Sequence, residues 1–94
     1  MFKILTIRLG HEIYFNVNGV DPRIPLNWDL FDEEKGGNPM LFYTKVAEWA
    51  QDNRITHIID ENLLEMGIRD LDNIELPITL REYSELAKEF LENS

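Results

Sequence analysis

The chain has 94 residues, 44 % of them apolar, which is enough for one domain, too little for two and too apolar for disorder. With no cysteine, disulfides, thiolate metal sites and cysteine nucleophiles are excluded. Eighteen acids against nine bases give a net charge of −9, which repels nucleic acid and anionic lipid and attracts a basic partner.

In chain order, Phe2 to Leu9 is rich in Ile and Leu and reads as a strand. Arg8, His11 and Glu12 interrupt it too early for a signal peptide. Glu12 to Val17 alternates, with Ile13, Phe15 and Val17 on one face and Glu12, Tyr14 and Asn16 on the other. Gly10-His11 between them suits a two-residue hairpin turn, and Asn18-Gly19 marks a second tight turn. Pro22 and Pro25 then limit Val20 to Leu26 to an edge strand or a loop.

Asn27 is placed to cap a short helix over Trp28 to Lys35, which Gly36 ends, and Gly36-Gly37 predicts a mobile joint. Asn38-Pro39 opens a stronger helix. In it, Phe42, Val46, Trp49 and Ala50 share one face, and Lys45, Glu48, Gln51 and Asp52 the other. Arg54 to Ile59 reads as a short strand, and Asp60 as the cap of one or two turns through Met66. Ile74-Glu75-Leu76 suggests a brief strand before Pro77. Thr79-Leu80-Arg81-Glu82 is a capping box, with Ile78 and Tyr83 as its hydrophobic staple. The helix it opens has a buried stripe of Leu80, Tyr83, Leu86, Ala87, Phe90 and Leu91. The order predicts a single α+β domain: a small antiparallel sheet, made of the N-terminal hairpin and one or two short strands, with two main helices packed on one face.

No motif carries chemistry. His57, Asp60 and Glu61 are close in sequence, but a metal site needs three or four convergent ligands, and His57 reads as a half-buried edge residue. Asp70-Leu71-Asp72 resembles the opening of a calcium loop, which then fails at Ile74, Glu75 and Arg81. A phosphate at Gly36-Gly37-Asn38-Pro39 would lose a donor to Pro39 and meet Asp32, Glu33 and Glu34. Ser84 and Ser94 lie in no nucleophile elbow. Neither catalytic residues, metal nor cofactor are expected. No apolar run approaches the ~20 residues of a membrane span, so a cytoplasmic protein is expected.

What remains is a binding surface. Residues 1–28 carry a net charge of +1 and residues 29–94 a net of −10. Two stretches stand out for partner binding: Trp28, Asp29, Phe31, Asp32, Glu33 and Glu34, where aromatics are ringed by charge, and Asp60, Glu61, Glu65, Asp70, Asp72 and Glu75. Either Trp28 or Phe31 is expected to be at least partly exposed. Duplex DNA carries roughly one charge per 100 Å² of surface. A folded chain of this mass exposes on the order of 5,700 Å², so its net charge averages one per ~600 Å². Only a clustered face, residues 60–75 with Glu82, Glu85, Glu89 and Glu92, reaches DNA-like density.

In size, charge and lack of catalytic motifs, the chain is similar to small acidic inhibitors: toxin immunity proteins, antitoxins, and phage proteins that disarm nucleases or restriction and CRISPR systems. That similarity of kind assigns no residue a role. It implies a non-enzymatic module that blocks a basic surface of a nucleic-acid-handling protein without binding nucleic acid itself. The alternatives are a structural or adaptor subunit and a small enzyme.

Overall fold

The computed structural model describes residues 2–65 and 76–92, with the side chains of Leu64 and Glu65 outside that description. Strands β1 (Ile4–Leu9) and β2 (Ile13–Val17) form the antiparallel hairpin that their alternation predicts. Its register sets Leu5 opposite Val17, Ile7 opposite Phe15 and Leu9 opposite Ile13. Three residues, Gly10 to Glu12, therefore make the connection, and not the two expected, because Glu12 stays outside the ladder. Asn18 and Gly19 take φ of 53° and 88°, the two positive values a tight hairpin turn needs, and join Val17 to Val20.

The short helix expected over Trp28 to Lys35 is two 3-10 turns, Trp28–Phe31 and Glu33–Lys35. Asp32 separates them. Its extended backbone ends the first turn, and its Oδ1 accepts from Glu34 N at 3.0 Å to start the second. At the expected Gly36-Gly37 joint, Gly37 is a close fit against the preceding turn. Gly36 caps the second turn at φ 80°. A Cβ on Gly37 would lie 2.5 Å from the Leu30 carbonyl oxygen and 2.6 Å from that of Asp29. Gly37 N donates to Asp32 O and Asn38 N to Leu30 O, both at 2.8 Å, so the first turn is tied to the residues that lead into the next helix.

Asn38 Oδ1 then accepts from Met40 N at 3.0 Å and helix α1 (Leu41–Asp52) begins. Its end explains why the next strand starts later than Arg54. Arg54 takes φ 59°, and Ile55 N donates to Ala50 O at 2.9 Å, a left-handed cap that occupies the first residues of the expected strand. Strand β3 is His57–Asp60. It leads into α2 (Glu61–Glu65). The final elements are β4 (Ile78–Thr79) and α3 (Leu80–Glu92), where Thr79 Oγ1 accepts from Glu82 N at 3.1 Å as the capping box requires. Of the strand suggested at Ile74-Glu75-Leu76, the first two residues lie outside the described ones, and Leu76 is a bend.

The fold is α+β, but its four-stranded sheet is mixed. The strand order is β2-β1-β3-β4, with β1 and β3 parallel and the other pairs antiparallel. The path of α1 causes this. The helix starts beside Leu9 and Ile13 and ends beside Lys3, whose Nζ donates to Asn53 O at 2.9 Å. The next strand must then enter alongside the start of β1 and run the same way. Helices α1 and α3 pack on one sheet face over Leu5, Ile7, Phe15, Ile58 and Ile78. Val46, Ala50, Tyr83 and Ala87 close the core from the helix side. No described helix is long and apolar enough to cross a membrane.

Candidate interaction surface

A ladder of aromatic rings runs from the surface into this core. Trp28, 49 % exposed, stacks on Phe42 at 6.2 Å and meets the edge of Phe31 at 5.8 Å. Phe42 continues to Phe15 and Tyr43, and Tyr43 to Phe90. Phe15 is buried and Phe90 is packed against the core, as their sequence faces predict. Tyr43, which the expected stripe of Phe42, Val46, Trp49 and Ala50 leaves out, is 4 % exposed.

The outer end of the ladder opens as a groove of about 240 Å³ lined by Leu9, Ile13, Trp28, Phe31, Pro39 and Phe42, with Tyr43 at its floor. Sequence reading assigned Ile13 and Pro39 to separate elements and missed their convergence. The one signal was Ile13, an apolar residue at the very start of the inward face of its strand. On the other side of the Trp28 turn, Leu26, Leu30 and Trp49 line a second hollow of about 330 Å³ with Glu48 and Asp52. The turn thus stands as a ridge between an apolar groove and a hollow of mixed polarity, to which Asn27 and Lys45 also contribute.

Acids border the ridge. Asp29 is exposed and accepts from Lys35 Nζ at 2.9 Å, so one charge is partly neutralised. Asp32 is half-buried and committed to its turn. Glu33 and Glu34 are exposed. The first predicted stretch is therefore one contiguous feature, with Trp28 outermost and Phe31 half-buried beneath it.

The second stretch is not one surface. Asp60 is 2 % exposed, which corrects its placement among the outward acids. Strand parity puts it on the core side, where Oδ1 accepts from Leu63 N at 3.2 Å and caps α2, and Oδ2 accepts from Tyr83 Oη at 2.9 Å. Burial raises the Asp60 carboxyl above its ordinary value, while the Leu63 and Asn62 amides and the Tyr83 hydroxyl pull it partly back. Burial and then the Asp60 charge push the Tyr43 hydroxyl up to about 12 and that of Tyr83 well above its usual range. Glu61 is exposed. The side chains of Glu65, Asp70, Asp72 and Glu75 lie outside the described residues. Glu82, Glu85, Glu89 and Glu92 fall on one ridge of α3, three of them exposed and Glu89 half-buried.

The Asp60 carboxylate and the Tyr83 hydroxyl lie buried within the core. His57 faces away from Asp60. It lies on the outer sheet face against Phe2, at a ring distance of 4.3 Å, with Nδ1 2.9 Å from Thr56 Oγ1. Among the described residues, no three His, Asp or Glu side chains converge. Comparison with protein-family models, with curated proteins and with solved structures finds no match.

Proposed function

We propose that this chain is a non-catalytic binding protein that sets its Trp28 ridge and adjoining groove against a basic surface of a protein partner, of the kind that nucleases and other nucleic-acid-handling proteins present. The observation that carries the reading is the half-exposed Trp28 at the mouth of an apolar groove, next to Asp29, Asp32, Glu33 and Glu34. Aromatic anchors desolvated at the centre of an interface supply most of its energy, and a charged rim selects the partner. The reading is also in keeping with the net charge of −10 over residues 29–94.

Replacement of Trp28 and Phe31 by Ala, one at a time, tests it. Trp28 leaves half its surface in water, so Trp28→Ala should lower folding stability by about 2 kcal/mol, less than loss of a fully buried aromatic would, while weakening partner affinity by 2 kcal/mol or more, roughly. Phe31→Ala should cost both. Stability and affinity are read by urea unfolding and by titration calorimetry with a partner captured on the wild-type chain. An affinity unchanged in folded Trp28→Ala protein would overturn the reading.

A further inference from the structure

Strand β2 has β1 on one side only. On its other side a single bridge joins Val17 to Val20, with bonds of 2.8 and 3.0 Å. The chain cannot extend that pairing. Pro22 and Pro25 have no donor to give, and Arg23, at φ 52°, turns the backbone so that Ile24 enters the core. Among the described residues, Ile13 to Asn16 are left without a second neighbouring strand. They include no proline and no lysine, and the register runs without a bulge from Leu5–Val17 to Leu9–Ile13. Ile13 and Tyr14 are 36 % and 47 % exposed.

This edge meets the groove. Side chains alternate along a strand, so Ile13 and any residue paired beside it on an added strand face the same side. That side is the one on which Ile13 lines the groove with Trp28. The exposed acids Glu12 and Asp29 adjoin lining residues in sequence, Asp29 being paired with Lys35, and the exposed Glu33 and Glu34 follow within three residues of Phe31, while Arg8 lies over the Tyr14 ring on the opposite sheet face.

We propose that the partner is held by strand addition: an extended segment pairs its backbone with Ile13 to Asn16 and lays one large apolar side chain between Ile13 and Trp28, with neighbouring Lys or Arg residues reaching the acids. The inference rests on the function proposed above and specifies how the partner is gripped. Charge selects a basic segment over a second copy of this chain, since two copies would bring together net charges of −9 each. Main-chain bonds supply affinity in such an arrangement, and the alternate side chain supplies choice.

The test is selection of a random twelve-residue peptide library on the full chain at low salt. Enriched peptides should share an aliphatic or aromatic residue with at least two Lys or Arg close by and no proline between them. An enriched peptide should slow hydrogen exchange at alternate amides within Ile13 to Asn16 by about tenfold or more. N-methylation of one alternate set of its backbone nitrogens should weaken binding by about tenfold, and methylation of the other set should leave it unchanged. No enrichment, acidic consensus peptides, or the same amides protected in a self-associated chain without peptide would overturn the proposal. If both methylated peptides bind undiminished while Trp28→Ala abolishes binding, strand addition is refuted and the groove reading stands. If Trp28→Ala binds the peptide as wild type does, the groove reading fails, and the anchored strand with it.

Discussion

Asp60 makes three polar commitments from inside the core, and its protonation is coupled to folding. A carboxyl whose pKa is higher in the folded than in the unfolded chain binds its proton more readily when folded. Its contribution therefore favours the folded state at low pH and is lost as pH rises from the ordinary value of 3.8 through the raised one. The stability of the wild type relative to Asp60→Asn should accordingly fall as pH is raised through that window, which urea unfolding at a series of pH values reads directly. A difference that grows with pH would contradict the burial argument. Tyr83→Phe removes the donor to Oδ2 and leaves a buried carboxylate oxygen bare. It should cost about 1.5–3 kcal/mol near neutral pH and move the window upward. The sequence marked Asp60 as the cap of the turns that follow it, which the Leu63 N bond bears out, but its burial and its bond to Tyr83 were not legible there, where it was also counted among the surface acids. Only the parity of the strand before it, with Ile58 inward and Ile59 outward, held the clue.

At the scale of elements, the strength of local signals decided what could be read. The Thr79 cap of α3, the Asn18-Gly19 turn, the alternation of Ile13 to Val17 and the stripe of α3 are each closed within a few residues, and each forms as read. The parallel pairing of β1 with β3 depends on contacts between distant residues, so the sequence carried no local mark of it, whereas the split of the Trp28 to Lys35 segment is local to Asp32, whose side chain was read there only as a charge. The Trp28 and Phe31 stretch was found because aromatics and acids adjoin in sequence, whereas the groove that gives it shape draws on three elements. Gly37 is the joint on which that shape depends. Gly37→Ala sets a methyl against two carbonyl oxygens of the Trp28 turn, so it should destabilise the fold by about 1–3 kcal/mol and shift the tryptophan emission. Gly36→Ala is its control, because no atom lies within 4 Å of the added carbon and only the backbone at φ 80° resists. Equal spectra for wild type and Gly37→Ala would show that the turn does not depend on the close approach.

For the whole molecule, charge density limits what the acids do. A net charge of −9 over 6456 Å² averages one per roughly 700 Å², several-fold sparser than duplex DNA. With Asp60 buried, the face imagined around residues 60–75 loses one of its charges. The acids are better suited to steering a partner than to imitating a nucleic acid. Association with a basic partner should slow by about tenfold or more between low and high salt, while dissociation changes little. A salt-independent association rate would remove steering from the account. The parallel contact between β1 and β3 has a further consequence, for the birth of the chain. Lys3 is tied to Thr56, 53 residues downstream, and α3, which seals the core, follows later still. At roughly 5–20 residues per second, several seconds of synthesis separate the emergence of the hairpin from that of the helix. For that interval Leu5, Ile7 and Phe15 form a bare apolar face on a nascent chain, open to chaperones or to a neighbouring copy emerging from the same messenger.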